Sequence, residues 1–272
     1  MVNILAVLCV FTLTFVGSIY ANVVATRDCG GYMFVDDLVV IDGPFNENCI
    51  FKFETQEDRV LVFSLIDGSL KEAEQYFSIH DGLDGDSPIL LVGNQKLPEV
   101  SRKDLPASVY STQSTASIRF KKTASNLFQL KIQKAINCPF NLGSASQCGR
   151  VVDEISCYCA TFVKRNQSDQ TMFCVDKGMK LIAFESQAEE GLIQSTWDII
   201  DNYWTSLTDT RREGTWVWES TWKFPSSYLH WYGGEPNNAN NEDCMVYGGS
   251  WKSAWNDWPC SNLSYAICEV QP

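Results

Sequence analysis

Side chains that carry oxygen are concentrated between residues 235 and 257. Three carboxylates and two amides stand there at Glu235, Asn237, Glu242, Asn256 and Asp257. Carboxylate and amide oxygens are ligands of calcium, a hard cation that takes about six to eight of them. Five such side chains would hold the ion and leave coordination positions open. The competing interpretation is a solvated loop, because asparagine-rich runs such as residues 237–241 are most often turns.

Catalysis is the weakest interpretation of this sequence. The chain has two histidines, His80 and His230, and no serine or cysteine nucleophile motif accompanies them. Paired carboxylates could suggest a glycosidase, but each of them is better explained as a metal ligand. We therefore expect a binding protein and not an enzyme.

Cysteine density divides the 272-residue chain into two parts. Residues 22–135 contain only Cys29 and Cys49, whereas residues 138–268 contain eight cysteines and all nine tryptophans. A chain of this length is sufficient for two domains, each with its own core. We place the boundary near Ala135, with one domain at 22–135 and the other at 136–272.

The N-terminus is typical of a secretory signal peptide. An apolar run from Ile4 to Val16 is followed by small residues up to Ala21, so we expect cleavage after residue 21 and a secreted, extracellular protein. A membrane anchor is the alternative, but this run is too short to span a bilayer, and no later segment is longer. Removal of residues 1–21 discards Cys9 and leaves ten cysteines, an even number suited to disulfides.

The formal net charge of −12 limits the class of partner. An acidic chain repels phosphate backbones and anionic lipid, so nucleic-acid binding is not expected. The same charge suits a protein that holds divalent cations.

The sequence pattern of the N-terminal part predicts an antiparallel β-sandwich. Short segments rich in β-forming residues, such as residues 49–53, 60–65, 116–120 and 127–132, are separated by Gly, Asp, Asn and Pro. Asp28-Cys29-Gly30-Gly31, Gly43-Pro44-Phe45 and the strand Tyr76 to Gly82 resemble a CUB domain over about 110 residues. Three positions depart from that family's pattern. Gln75 replaces a cysteine, and Phe77 and Lys122 replace calcium ligands, so we expect no calcium site in this part.

The C-terminal part carries a more specific pattern. A capping box at Ser186–Glu189 predicts a helix, and the close series of tryptophans predicts a packed aromatic core. The ordered motifs are Trp204-Thr205-Ser206-Leu207, Glu235-Pro236-Asn237, Glu242-Asp243-Cys244, Trp255-Asn256-Asp257, Cys260 and Cys268-Glu269. Together they resemble a C-type lectin domain, an α+β fold, over about 130 residues. Ser206 stands where that family commonly has glycine.

The resemblance implies a function for the oxygen cluster. In that family the cluster holds calcium, and two adjacent sugar hydroxyls fill the open positions, each donating to a carboxylate and accepting from an amide. The Glu-Pro-Asn order implies mannose, glucose, N-acetylglucosamine or fucose and disfavours galactose. Pro236 is expected to be cis. Trp258 either touches the sugar or packs inward.

An auxiliary calcium site is implied by the same resemblance. It would use Asp209, Glu213, Glu242 and Asp243, but Asn238 stands where an acidic residue is usual. Less negative charge lowers calcium affinity, so occupancy of this site is left open.

The resemblance also implies the disulfides Cys174–Cys268 and Cys244–Cys260, and in the first part Cys29 is expected to pair with Cys49. A bridge within Cys157-Tyr158-Cys159 would be strained, so Cys138 and Cys148 should each take one of these two cysteines, in an order left open. Asn166 and Asn262 begin glycosylation sequons.

Two functions follow as expectations. The first is a calcium-dependent lectin that binds glycans or glycoproteins, in innate immune recognition by analogy with the family, and that gains avidity as a homo-oligomer. The alternative is a protein-binding adhesion module with a degenerate lectin-like domain.

Overall fold

The computed structural model describes residues 24–26, 29–45, 47–67, 77–91, 108–120, 128–139, 142–143, 146–197 and 201–272. The expected signal peptide, Gln75 and Lys122 lie outside these residues, as does the side chain of Phe77. Within the described ranges no helix is long and apolar enough to cross a membrane.

The N-terminal part is built from ten strands in two five-stranded sheets. Their orders are β1-β3-β10-β5-β8 and β2-β4-β9-β6-β7. The strands are β1 Val24–Thr26, β2 Gly31–Phe34, β3 Leu38–Gly43, β4 Cys49–Glu54, β5 Arg59–Asp67, β6 Phe77–His80, β7 Ile89–Leu91, β8 Ser108–Tyr110, β9 Thr115–Phe120 and β10 Phe128–Ile136.

The two sheets pack face to face as a sandwich. Side chains alternate along β4, where Cys49, Phe51 and Phe53 are buried and the residues between them are exposed, which is the period of a half-buried strand. Phe53 of one sheet meets Phe63 of the other at 6.0 Å between ring centroids. The β-rich part was predicted, but the fully antiparallel arrangement was wrong, because β1 pairs with β3 and β2 with β4 in parallel at one edge of each sheet.

The C-terminal part is an α+β unit around one eight-stranded sheet, as predicted. Its order is β11-β12-β18-β14-β16-β17, with β13 on β18 and β15 on β14. The elements are β11 Ser146–Gly149, β12 Cys157–Arg165, α1 Gln167–Asp176, β13 Lys180–Leu181, α2 Gln187–Thr196, β14 Asn202–Thr208, β15 Val217–Trp218, β16 Cys244–Gly248, a 3-10 turn Gly249–Trp251, β17 Trp255–Trp258 and β18 Ser264–Val270.

Side-chain caps set where the two helices begin. Asn166 accepts a hydrogen bond from the amide of Asp169 at the start of α1, and Ser186 accepts one from the amide of Glu189 at the start of α2. Each cap satisfies an amide that has no partner inside the helix. The second helix therefore starts at the predicted capping box.

Most of the aromatic series is core, as expected. Trp204 and Trp255 are fully buried, and Phe184 lies 4.8 Å from Tyr247 in an edge-to-face contact. Trp222 is the opposite case, with 60% of its surface exposed.

Five disulfides close the described part of the chain. The expected pairs Cys29–Cys49, Cys174–Cys268 and Cys244–Cys260 are present. The two pairings that the sequence left open are Cys138–Cys157, which ties the segment after β10 to strand β12, and Cys148–Cys159, which ties β11 to β12.

Contacts join the two parts around Glu154. Its buried carboxylate accepts from Lys131 Nζ at 2.7 Å, from Ser64 Oγ at 3.0 Å and from Ser108 Oγ at 2.5 Å. Burial raises the pKa of Glu154, but Lys131 and the two hydroxyls outweigh it and leave the pKa below its usual value. Ile155 packs beside these groups on Val60, Val62 and Ala135.

Candidate functional site

Two segments form the candidate site. Strand β17 pairs with β16 in antiparallel register, which places Asn256 opposite Val246 and Asp257 opposite Met245. The loop before β16 supplies Glu235, Asn237 and Glu242. The Glu235–Pro236 peptide bond is cis, as predicted.

Asp257 connects the two segments. Its side chain is fully buried, and its two oxygens accept from the amides of Asn237 at 3.2 Å and Asn238 at 2.6 Å. A strand residue thus fixes the loop that carries Glu235 and Asn237. Of the five predicted ligands, Glu235 and Asp257 have side chains in contact at this point.

Three carboxylates face one another here. Burial raises the pKa of Glu235, and contact with Asp257 and the charge of Glu242 raise it further. Burial and the charge of Asp257 likewise raise the pKa of Glu242. Glu235 Oε2 is buried and has no hydrogen-bond partner. Since an unpaired buried acceptor and converging negative charge both cost free energy, the arrangement favours a cation.

The amide side chains hold the loop in its present conformation. Asn237 Oδ1 accepts from the amide of Ala239 at 2.8 Å, and Asn238 Oδ1 accepts from the amide of Glu242 at 2.8 Å. The side-chain amide of Asn256 donates to the Asp257 carbonyl. These are the turn-type bonds that asparagine makes with nearby backbone.

The donor set fits calcium by its chemistry. All five predicted side chains offer oxygen, and they are hard ligands of the kind that calcium takes. Among the residues that the structure describes, no group of three or more His, Cys, Asp and Glu side chains has the geometry of a metal site. A calcium site would therefore need the two amides and the carboxylates to close together around the ion.

The auxiliary set also comes together in part. Asp209 is buried, its Oδ2 accepts from the amide of Gly214 at 2.8 Å, and its Oδ1 has no partner. Burial raises the pKa of Asp209, and the charges of Glu213 and Asp243 raise it further. The amide of Asp209 donates to the Asp243 carbonyl at 3.1 Å, which joins the two loops.

Trp258 packs inward in the structure. Its ring lies 5.7 Å from Trp204 and 5.7 Å from Trp251, between centroids, at the edge of the disulfide-rich core. These contacts match the packing alternative, and contact of Trp258 with sugar stays a prediction.

Glu190 was not predicted as a functional residue, although hydrogen bonds join it to residues that precede both segments. Its carboxylate is 1% exposed and accepts from Tyr228 at 2.7 Å, Trp255 Nε1 at 2.9 Å and Gln194 at 2.7 Å. His230 Nδ1 lies 2.8 Å from the same carboxylate. Tyr228 and His230 lead into Glu235, and Trp255 precedes Asn256. The available signal was a second acidic residue in the first turn of a helix that otherwise packs on the core.

A second pair of buried carboxylates lies on the sheet. Glu189 accepts from Tyr158 at 3.1 Å, and Glu269 Oε1 accepts from the amide of Ala183 at 3.1 Å. Burial raises the pKa of Glu189, and burial together with the charge of Glu189 raises that of Glu269 to about 8. Neither was predicted as a functional residue.

The two sequons differ in their surroundings. Asn166 Oδ1 caps α1, and its Nδ2 donates to Asp169 at 2.9 Å. Asn262 lies in the turn before β18, where its amide donates to the carbonyl of Pro259 at 2.9 Å. Glycosylation at either position stays a prediction.

The C-terminal part is similar to known proteins. The family "Lectin C-type domain" matches residues 163–270. "CD209 antigen-like protein D" of Mus musculus is 34% identical over 115 residues, which is 42% of this chain and 47% of that protein. "C-type lectin domain family 4 member M" of Symphalangus syndactylus is 34% identical over 116 residues, or 42% of this chain and 27% of that protein.

Among solved structures, the mouse scavenger receptor C-type lectin carbohydrate-recognition domain is 30% identical, with a TM-score of 0.39, over 43% of this chain and 88% of that one. Residues 163–270 are a C-type lectin domain. The expectation that the whole chain is a binding protein and not an enzyme stays a prediction. The chain spans about half or less of the length of the two curated relatives, and the N-terminal sandwich lies outside the matched residues.

Proposed function

We propose that this protein is a secreted, calcium-dependent lectin that binds mannose-type hydroxyl pairs. The observation that carries the proposal is Glu235, whose carboxylate has one buried oxygen without a partner and lies against Asp257 and Glu242. A divalent cation would remove the repulsion that raises these pKa values. It would also supply the point at which two sugar hydroxyls replace water.

Each side chain has a defined role in this proposal. Glu235, Glu242 and Asp257 would neutralise the ion, and Asn237 and Asn256 would add neutral amide oxygens. Toward the sugar, Glu235 can only accept a hydrogen bond, whereas the NH2 group of Asn237 can donate one. A sugar hydroxyl between them would donate to Glu235 and accept from Asn237. This order supports the preference for mannose, glucose, N-acetylglucosamine or fucose over galactose.

The other expected properties belong to the same proposal. The sandwich is proposed to be a CUB-like module, and the partners are proposed to be glycans or glycoproteins in innate immune recognition. Since a single site of this kind binds weakly, a homo-oligomer would supply avidity. Asp209, Glu213, Glu242 and Asp243 are proposed as an auxiliary calcium set, which is supported by the burial of Asp209 and by its Oδ1, which has no partner.

Retention on mannose resin tests the proposal. The full chain should bind in calcium and elute with a chelator, and a glycan array should show the mannose-type preference only with calcium. The double variant Glu235→Gln with Asn237→Asp exchanges acceptor and donor, so preference should shift toward galactose. Glu57→Gln, an exposed carboxylate of the N-terminal part, is the matched control and should behave as wild type.

Passage through the resin in calcium would contradict the proposal. If the same protein then adhered to a deglycosylated protein partner, the adhesion-module alternative would replace it. An unchanged sugar preference in the double variant would contradict the assigned donor and acceptor roles.

A further inference from the structure

Trp222 has an exposed indole in a backbone conformation that bulky residues rarely adopt. Its surface is 60% exposed and its φ is 57°, in the left-handed region where glycine or asparagine usually stands. The turn imposes this conformation, since the amide of Trp222 donates to the Trp218 carbonyl at 2.8 Å and that of Trp218 to the Lys223 carbonyl at 2.9 Å. Folding gains little from an exposed tryptophan at such a position, so the indole points to a ligand.

Arg211 stacks on one face of the indole. The guanidinium carbon lies 4.1 Å from the Trp222 ring centroid, and Arg211 Nε lies 3.9 Å from Glu219 Oε1. A guanidinium stacks on an aromatic face and holds its orientation. A ring that is covered in this way and is still 60% exposed presents the rest of its surface to solvent.

This surface belongs to the same set of loops as the oxygen cluster. Arg211 lies in the turn that begins at Asp209, where the amide of Arg212 donates to the Asp209 carbonyl at 2.9 Å. The amide of Asp209 in turn donates to the Asp243 carbonyl, and Asp243 directly follows Glu242. These backbone hydrogen bonds connect the turn that carries Arg211 with the loop that carries Glu242.

The chemistry around the ring selects the class of ligand. Arg211, Glu219 and Lys223 have side chains that are 69%, 34% and 71% exposed, so donors and an acceptor border the apolar face. A pyranose ring matches such a border, because its C–H face packs on an aromatic ring while its hydroxyls meet polar groups at the edge. Tryptophan and arginine are also enriched in protein interfaces, so the test below includes a deglycosylated protein as an outcome.

We infer that Trp222, backed by Arg211, is a second carbohydrate subsite, which binds a further pyranose ring of a glycan whose first ring lies at the oxygen cluster. This inference rests on the proposed function. It assigns Trp222 the role of a platform and Arg211 that of a positioning residue. It also makes affinity depend on the length of the saccharide.

Calorimetric titration of the full chain in calcium tests the inference, with methyl α-mannoside and α-linked mannose oligomers of two to five units as probes. Wild type should gain about five- to tenfold in affinity at the length that reaches Trp222. Trp222→Gly should lose this gain and bind the monosaccharide as wild type does. Glycine adopts this φ without strain, so the melting temperature of Trp222→Gly should stay within a few degrees of the wild-type value.

Three further variants sharpen the test. Trp222→Asn tolerates the left-handed conformation and should reproduce the glycine variant, and Arg211→Ala should lose part of the gain. Met172→Ala removes an apolar side chain of helix α1 that is equally exposed, at 61%. This variant should keep the full gain in affinity. A cross-peak shift of the Trp222 indole N–H on adding long but not short oligomers would support direct contact.

The outcomes separate this inference from the proposed function. If wild type binds the monosaccharide in calcium and Trp222→Gly binds every oligomer as tightly as wild type does, the subsite alone is overturned. A wild type that binds no saccharide overturns both. If Trp222→Gly loses binding only to a deglycosylated protein, the surface recognises polypeptide and the subsite is overturned.

Discussion

Replacement of Glu269 by glutamine should stabilise the metal-free protein at neutral pH. Glu269 on β18 is 1% exposed, and one of its carboxylate oxygens has no partner. Burial, together with the charge of Glu189, raises its pKa from 4.5 to about 8. Glutamine has the shape of the protonated acid and keeps the oxygen that accepts from Ala183, but it cannot ionise.

The sign and size follow from linkage between protonation and folding. The pKa of Glu269 is higher in the folded state, so the stability that this group contributes is complete below pH 4.5 and is lost as pH rises to about 8. At pH 7 the folded protein keeps a proton that the unfolded chain releases. The cost is about 1.4 kcal/mol for each pH unit above 4.5, or about 3 kcal/mol at pH 7.

Urea unfolding at pH 5, 6, 7 and 8 measures this cost. A chelator is present so that no divalent cation neutralises Glu189 and Glu269. The difference in unfolding free energy between Glu269→Gln and wild type should grow with pH and reach about 3 kcal/mol at pH 7. Other carboxylates titrate in both proteins and cancel in the difference. Glu57→Gln, at an exposed position of the N-terminal part, is the control and should give a flat difference. A flat difference for Glu269→Gln as well would refute the reasoning.

Two further predictions concern other buried carboxylates. Glu154→Gln should destabilise the chain by about 1 to 3 kcal/mol at pH 7, because the ion pair with Lys131 loses its charge. This difference in unfolding free energy should shrink as pH falls through the lowered pKa of Glu154. A difference that stays constant with pH in urea unfolding would contradict the prediction. Glu190→Gln should weaken calcium binding several-fold in a fluorescence titration and move the indole N–H resonance of Trp255, which now donates to Glu190. An unchanged Trp255 resonance would show that this hydrogen bond does not form in solution.

Much of the organisation could be predicted because it depends on local pattern. Alternation along β4 and the cap at Ser186 each involve residues a few positions apart, and the structure shows both. The lectin domain was recognisable from the order of short motifs, and its family match covers residues 163–270. The edge pairing of the sandwich was not predictable in this way, because parallel β1 and β2 depend on how the whole sheet closes.

The candidate site shows the same division. Oxygen-bearing residue types and a cis Glu235–Pro236 bond could be expected from the sequence, whereas the burial of Asp257 and its bonds to two loop amides could not. Glu190 is a further example, since its partners Tyr228 and Trp255 are 38 and 65 residues away.

The residue types establish which side chains can act, through their donors, acceptors and charges, and cysteine density divides the chain into a β-rich part and a cysteine-rich part. Folding then sets the environment of each side chain. Trp204 is fully buried and Trp222 is 60% exposed, although the two share one residue type. Glu185 is exposed and Glu269 has a pKa of about 8. The physical reason is that desolvation depends on neighbours brought together by folding, and these lie far apart along the chain.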